Sequence, residues 1–360
     1  MTTEKYDEYR TRRHFGSLDG LRCVAILSVI WHHTGQPFEG TWAARGFLGV
    51  DLFFVLSGFL IVTLLLRERD RSGAISLKKF YLRRTLRIFP AYYMVLALTG
   101  ALFFLLGSKS LEVYLSDLPY LATYTSNWIH VEVPNLGVMW SLATEEQFYL
   151  LWPLIEVLVP RRAIGWVLAL AIGVNQAVNF GLTDELWRQT FGTEPDVYIL
   201  QTTFTPILLG VGLAHALHGR GGFALVWRLI GARWASVALA AATMASIALS
   251  PDDISGPSRL VTQILMTLLI GSVVVREDTA LRPLLTLRPV VYLGTISYGL
   301  YLLHMFGVST ALSLGERIPA LDNFLARITI TTAVATVLAT LSFRYFETPF
   351  LKLKERFATV

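Results

Sequence analysis

Ten apolar runs of about twenty residues constrain this chain of 360 residues more than any other feature. A hydrocarbon core about 30 Å thick needs about 20 apolar residues per helix. Charged residues make up only 16% of the chain and hydrophobic residues 54%, whereas about a quarter of a soluble domain is charged. The sequence therefore predicts an all-α integral membrane protein with ten transmembrane helices, at 18–36, 48–66, 88–107, 138–158, 163–181, 198–217, 234–250, 258–275, 289–311 and 324–345.

The distribution of Lys and Arg indicates an orientation in the membrane. With both termini placed in the cytoplasm, the inner segments hold 24 of the 31 basic residues and the outer segments hold six. Cytoplasmic loops of membrane proteins carry such an excess of positive charge. We therefore expect one transmembrane domain over 1–360 in a bacterial cytoplasmic (inner) membrane. Its polar N-terminal tail, about 1–16, and its C-terminal tail, about 346–360, are both expected in the cytoplasm.

Composition excludes several classes of function. The single cysteine, Cys23, lies within an apolar run, which excludes a disulfide framework and a cysteine-based metal or redox site. The net charge of +5 comes from short basic clusters between apolar runs, a pattern that orients a membrane protein and does not indicate nucleic-acid binding. No metal site is expected, because the candidate histidine and carboxylate ligands lie on different predicted helices.

Ionisable residues within predicted membrane helices are the first candidates for a functional site. Arg22, Asp51, Glu145 and Glu146 lie in or at the ends of such helices, and an ionised side chain at the bilayer centre costs about 2.5–3.5 kcal/mol. These four side chains are expected to face the protein interior or a wet cavity. The alternative is that they snorkel to the membrane interface.

Two histidines extend this set. Arg22 and His33 are eleven residues apart in the first predicted helix, which places them on one helix face and about 16 Å apart along the axis. Counted from the cytoplasmic ends of their predicted helices, His33 and His304 lie at one depth of about 22 Å. The topology therefore predicts a layer in the outer half of the membrane made of His33, Asp51, Glu145, Glu146 and His304.

The chemistry of this layer points to proton transfer. A histidine oriented by a carboxylate is the usual general base for a hydroxyl proton, so His33 is the candidate base and Asp51 or Glu145 its orienting group. The same residue types also suit the proton relay of a transporter. On the cytoplasmic side, Arg84 and Arg87 share a helix face at i,i+3 spacing. They either bind phosphates or only provide the positive charge that topology requires.

Six motifs, in this order, resemble the acyltransferase family 3 of membrane O-acyltransferases. The resemblance covers about residues 14–350 and is carried by Arg22-x10-His33, GVDLFFVLSGFLI (49–61), FYLRRTLRIFPAYY (80–93), MWSLATEEQFYLLWPL (139–154), ISYGLYLLH (296–304) and YFETPF (345–350). Members of that family are ten-helix membrane proteins that move an acyl group, often acetyl from acetyl-CoA, onto hydroxyls of sugars and related acceptors. The resemblance thus implies acetyl-CoA, or another acyl-CoA, as donor substrate and no tightly bound cofactor.

The resemblance also implies roles for individual residues. His33 matches the essential histidine of the family, as a general base or a transient acyl carrier, and Arg22 matches its paired arginine. Glu145 matches the glutamate of the family's W-S-L-x-x-E-E-Q-F-Y element, and Asp51 lies in another matching motif. These four residues form the predicted catalytic set.

Two further groups of residues are implied to bind substrates. Arg84 and Arg87 match an R-x-x-R element of the family that is implied to bind the CoA phosphates, and Arg83 lies beside them. The remaining candidates for substrate binding are Glu146, Tyr298, Tyr301, His304 and Ser57.

The implied function is transfer of an acetyl group from cytoplasmic acyl-CoA to a hydroxyl of a polysaccharide, glycolipid or glycosylated natural product. Some family members append an esterase-like SGNH domain, whereas about ten residues follow YFETPF here, so a modification that depends on that domain is not expected. Thr144 replaces a valine common in the family. The alternative function is a proton-coupled transporter of a glycan or lipid, which typically shows internal hydropathy repeats; the sequence shows none.

Overall fold

The computed structural model describes residues 2–12, 14–35, 40–182, 188–190, 203–251 and 254–356. The regular elements of this part of the chain are all helical, as the sequence predicts. The α-helices are α1 (Thr2–Thr11), α2 (Gly16–His33), α3 (Gly49–Ser72), α4 (Leu77–Leu105), α5 (Ser110–Ala122), α6 (Met139–Leu158), α7 (Arg161–Asn179), α8 (Thr205–His218), α9 (Arg220–Ile230), α10 (Ala235–Leu249), α11 (Gly256–Val275), α12 (Arg282–Leu285), α13 (Arg288–Thr295), α14 (Ser297–Arg317), α15 (Phe324–Leu341) and α16 (Thr348–Glu355).

Each of the ten predicted membrane segments overlaps one or more of these helices, although 198–202 lie outside the described residues. By length and composition, four helices within the described ranges can cross a membrane: Trp42–Ser72, Leu77–Leu105, Gly256–Val275 and Phe324–Leu353. Two bent pairs, α9 with α10 and α13 with α14, raise this number to six. Helix α6 falls short because it carries Glu145, Glu146 and Glu156 within twenty residues, and each charge opposes transfer into lipid. The count of ten and the cytoplasmic termini stay predictions.

The ninth predicted segment, 289–311, is not one straight helix. Helices α13 and α14 meet at an angle of 82° next to Ile296. Gly294 ends α13 against the first turn of α2, where a Cβ on this glycine would lie 1.8 Å from the carbonyl oxygen of Asp19. His304 therefore lies seven residues, about 10 Å, from the start of its own helix, and the depth of about 22 Å counted from Pro289 is wrong.

Helix α3 forms the centre of the bundle. Its apolar residues lie all round the helix, and most of its side chains from Gly49 to Glu68 are buried, as expected for a helix surrounded by protein. Gly58 allows α8 to approach closely, because a Cβ at this position would lie 2.0 Å from the carbonyl oxygen of Ile207. Small residues at helix contacts of membrane proteins allow such close backbone approach.

Each of the two predicted tails contains a helix. Helix α1 is fixed to α3 by Arg67, whose guanidinium donates to the carbonyl oxygens of Tyr9 and Arg12 at 2.8 and 2.6 Å. At the other end of the chain, a π-helix at Ser342–Glu347 joins α15 to α16, which packs against α4.

Candidate active site

A cavity of about 110 Å³ lies among α2, α3, α4, α6 and α14. Since about 10–15 Å³ of such a cavity is enough for one water molecule, this space suits several waters or a small acyl group. Its polar wall is formed by Arg22, Ser57, Arg84, Arg87, Ser141, Glu145, Glu146, Tyr149, Ser297, Tyr298 and Tyr301. Its apolar wall is formed by Val50, Phe53, Phe54, Ile88 and Leu142.

Three arginines face the cavity. Arg84 and Arg87 lie on one face of α4, as their spacing predicts, and both line the cavity wall. The guanidinium of Arg84 lies over the ring of Tyr149, 5.0 Å from its centroid. Arg22 donates from Nη1 to Oδ1 of Asp19, one helical turn earlier, at 2.7 Å. Asp19 thus pairs with Arg22, and the guanidinium groups of Arg84 and Arg87 share the cavity with two glutamates.

The two glutamates of the cavity differ in their hydrogen bonding. Glu145 accepts a hydrogen bond of 2.6 Å from the hydroxyl of Ser57 at its Oε1. Oε1 of Glu146 is buried and has no hydrogen-bond partner within the described part of the chain. A buried acceptor without a partner is unfavourable by about 1–3 kcal/mol. Such an atom is a candidate ligand contact, because a bound donor group would satisfy it.

The structure separates Glu145 and Glu146 from the predicted outer layer and brings them to the arginines of α4. The start of α6 explains the difference, because its first residues are buried: Met139, Ser141 and Ala143 are at most 3% exposed. Helix α6 therefore begins inside the protein rather than at its outer surface. The inner basic cluster and the two glutamates form one cavity.

His33 and His304 form a pair outside this cavity. Nε2 of His304 lies 3.4 Å from Nδ1 of His33, and the ring centroids are 5.0 Å apart. The two histidines thus lie at one level, as predicted, although the count that gave this level assumed the wrong helix start. Tyr301 lies between the pair and the cavity. Its ring is 5.6 Å from that of His304, and it also lines the cavity.

Asp51 contacts neither histidine. Its carboxylate accepts from Nε and Nη2 of Arg259 at 3.0 and 2.9 Å and from Nε2 of Gln263 at 3.0 Å. The expectation that Asp51 orients His33 is therefore wrong, because this face of α3 packs against α11. Arg259 is one of the six basic residues that the sequence predicts on the outer side. Its place in the first turn of an apolar helix was a signal for a carboxylate partner at the same depth.

Arg83 also lies apart from the cavity. Its guanidinium donates to Oε2 of Glu68 at 2.9 Å, and Glu68 in turn accepts from the backbone nitrogen of Ser76. The assignment of Arg83 to phosphate binding beside Arg84 and Arg87 therefore does not fit the structure. The reason is geometric: adjacent residues of a helix point about 100° apart.

Some of the other predicted substrate-binding residues line the cavity, and one does not. Ser57, Tyr298 and Tyr301 line the cavity, and their hydroxyls are used within the protein. Tyr298 donates to the carbonyl oxygen of Ile88 at 2.8 Å, and Tyr301 shares a hydrogen bond of 2.6 Å with Ser141. His304 is fully buried and does not line the cavity, so it offers no surface to a substrate there. Sequence reasoning missed Ser141, which lies one turn before Glu145 in α6.

Comparison with known proteins agrees with the motifs. A family model described as an acyltransferase domain matches residues 15–344. The chain is 28% identical to the peptidoglycan O-acetyltransferase OatA of Listeria monocytogenes, over 95% of this chain and 56% of that protein. It is also 28% identical to the O-acetyltransferase OatA of Staphylococcus aureus (strain NCTC 8325 / PS 47), over 97% of this chain and 59% of that protein.

The chain thus spans less than two thirds of the length of these relatives. No solved structure matches it. The family match covers more than nine tenths of the chain and includes the helices that line the cavity and carry the histidine pair. This chain belongs to the acyltransferase family 3 of membrane proteins.

Proposed function

We propose that this protein is a membrane O-acyltransferase that moves an acetyl group from a cytoplasmic acyl-CoA to a hydroxyl of a carbohydrate or glycosylated acceptor. The named relatives are O-acetyltransferases, and one of them acts on peptidoglycan according to its name. The observation that supports the proposal best is the cavity with three arginines beside the pair of His33 and His304. Cationic side chains suit the donor phosphates, and a histidine suits the acceptor proton.

The donor enters, in this proposal, from the cytoplasmic end of α4. Arg84 and Arg87 bind its phosphates by charge-assisted hydrogen bonds, in which Arg provides paired N–H donors. A cavity of about 110 Å³ is far too small for a whole CoA molecule. The nucleotide therefore stays at the mouth, and only the thioester end of the narrow pantetheine arm reaches the far wall at Tyr301.

His33 then acts as general base. Its Nδ1 lies 2.9 Å from the carbonyl oxygen of Val29, which can only accept, so Nδ1 carries the proton and Nε2 keeps a lone pair. Nε2 removes the proton of the acceptor hydroxyl as that oxygen attacks the acyl carbon. The new C–O bond forms, the C–S bond breaks, and the proton passes from His33 to the CoA thiolate. Ester and free CoA are the products.

The experiment is acyl transfer by the purified protein in nanodiscs. Release of free CoA from acetyl-CoA is followed with a panel of sugar and peptidoglycan-fragment acceptors, and acetyl-CoA binding is measured in the same samples. Wild type is compared with His33→Ala and Arg84→Ala. We expect His33→Ala to lower release to a small residual rate while donor binding persists, and Arg84→Ala to weaken donor binding.

Two controls make this comparison specific. His32→Ala changes the neighbouring histidine, whose Nδ1 bonds to the carbonyl oxygen of Ala44, and should retain transfer. Arg83→Ala removes a charge next to Arg84 that lies apart from the cavity, and should retain donor affinity. Failure to bind any acyl-CoA would contradict the proposal and favour a transporter. Transfer that survives His33→Ala would contradict the role of His33.

A further inference from the structure

The hydrogen-bonding atoms of His304 have defined roles. Its Nδ1 lies 2.7 Å from the carbonyl oxygen of Tyr301, and because a carbonyl oxygen only accepts, Nδ1 carries the proton. In the neutral ring Nε2 then holds a lone pair. That atom lies 3.4 Å from Nδ1 of His33, which is itself protonated because it also faces the carbonyl oxygen of Val29. The N–H of His33 therefore has two acceptors, Val29 and His304.

The two carboxylates that the sequence predicts as orienting groups of His33 are engaged elsewhere. Asp51 is bound by Arg259 and Gln263, and Glu145 accepts from Ser57. His304 is 0% exposed, and its backbone lies in the first half of α14, so packing fixes its ring. A distance of 3.4 Å is long for a hydrogen bond. Catalytic hydrogen bonds are often long without substrate and shorten in the reactive complex.

We propose that His304 is the positioning residue of His33. Nε2 of His304 accepts a hydrogen bond from Nδ1–H of His33, in the place that a carboxylate usually occupies. This contact keeps Nε2 of His33 unprotonated and directed away from the pair. The hydrogen bond becomes stronger when His33 takes up a proton and becomes an imidazolium. This inference rests on the proposed acyl transfer. In this role His304 affects the rate of acyl transfer by positioning His33, and it contacts neither substrate.

The test is a set of variants that separates the acceptor atom from the shape of the ring. His304→Phe keeps an aromatic ring and removes the acceptor, whereas His304→Gln places an amide oxygen near the position of Nε2. Loss of the group that orients a metal-ligating histidine typically lowers metal affinity or activity about 10–100-fold, and we take this as the scale for His33. In His304→Phe we expect kcat to fall by a factor in this range, with the KM for acetyl-CoA changed less than about twofold. In His304→Gln we expect kcat to return most of the way to the wild-type value.

His32→Phe is the matched control. The ring of His32 lies 5.0 Å from that of His33, the same centroid distance as for His304, but its Nδ1 bonds to the carbonyl oxygen of Ala44. Replacing it changes an equivalent ring contact without removing an acceptor for His33. We expect wild-type kcat in this variant.

A double-mutant cycle shows whether His304 acts through His33. In a His33→Ala background, His304→Phe should cause no further loss of the residual transfer, because coupled residues are not additive. Equal kcat in wild type and His304→Phe, or equal loss in His304→Phe and His304→Gln, would overturn the inference and leave the proposed function intact. Transfer that depends on neither histidine would overturn both the inference and the role of His33 as base, whereas failure to bind any acyl-CoA would overturn the proposed function. Acetyl-CoA binding by each variant confirms that the protein is folded.

Discussion

Asp51 and Arg259 form a bidentate ion pair inside the bundle, with Nε and Nη2 of the arginine donating to the two carboxylate oxygens. The carboxylate is fully buried and the arginine side chain is 24% exposed. The pair joins α3 to α11 across 208 positions of sequence. Asp51 therefore stabilises the bundle, and this contact distinguishes it from the residues that line the cavity.

Removing one partner of this pair should destabilise the protein without changing the chemistry. Loss of one member of a buried pair typically lowers stability by about 3–5 kcal/mol, because the other charge stays buried. We expect Asp51→Ala to lower the thermal unfolding temperature in detergent. The double variant Asp51→Leu with Arg259→Leu should restore most of the lost unfolding temperature. The control is Asp322→Ala, which breaks the more exposed pair with Arg327. Full stability of Asp51→Ala combined with loss of transfer would contradict this view.

Arg87 and Arg83 should differ in their effect on donor affinity. A hydrogen bond to a charged group contributes about 1.5–3 kcal/mol, so Arg87→Gln should weaken acetyl-CoA binding about tenfold or more. Arg83→Gln should leave that affinity unchanged and lower stability instead, because it leaves Glu68 buried without its cation. Calorimetric binding of acetyl-CoA measures the first effect. S-acetylpantetheine, which lacks the phosphates, should bind wild type and Arg87→Gln alike, and a tenfold difference there would exclude phosphate recognition.

A methyl group at Gly58 should disrupt the contact between α3 and α8. The added Cβ would lie 2.0 Å from a backbone oxygen, so one helix must shift, and overpacking of this kind typically costs about 1–3 kcal/mol. We expect Gly58→Ala to lower the unfolding temperature and to reduce transfer, since the neighbouring Ser57 is displaced from Glu145. Gly165→Ala in α7, where a Cβ meets nothing within 4 Å, is the control. An unchanged unfolding temperature in Gly58→Ala would argue against this packing.

The cavity volume sets an expectation for the length of the acyl chain. A space of about 110 Å³ accepts an acetyl group. Each extra methylene of a longer acyl chain that does not fit raises the activation free energy relative to acetyl transfer by about 1–3 kcal/mol. We expect kcat/KM for butyryl-CoA to be at least about tenfold below that for acetyl-CoA. Leu142→Ala enlarges the cavity at its apolar wall and should bring the kcat/KM for butyryl-CoA closer to that for acetyl-CoA. Equal use of acetyl-CoA and hexanoyl-CoA by the wild type would show that the acyl group does not enter this cavity.

Features that depend on residues close together in the chain could be predicted from the sequence. Apolar runs of membrane length indicated an all-helical membrane protein, and i,i+3 spacing put Arg84 and Arg87 on the face that lines the cavity. Ordered motifs indicated the family. The bend between α13 and α14 was missed, because no proline or charge marks the break at Ile296.

Which of these side chains meet depends on the packing of the helices. His33 and His304 are 271 positions apart, Asp51 and Arg259 are 208 apart, and Ser57 and Glu145 are 88 apart. Counting residues along separate helices gives depth but not rotation, tilt or the buried start of a helix such as α6. Those depend on how the helices pack, because a few degrees of rotation decide whether a carboxylate faces an arginine, a serine or a histidine. The predicted layer of five residues therefore divides into a cavity, an ion pair and a histidine pair.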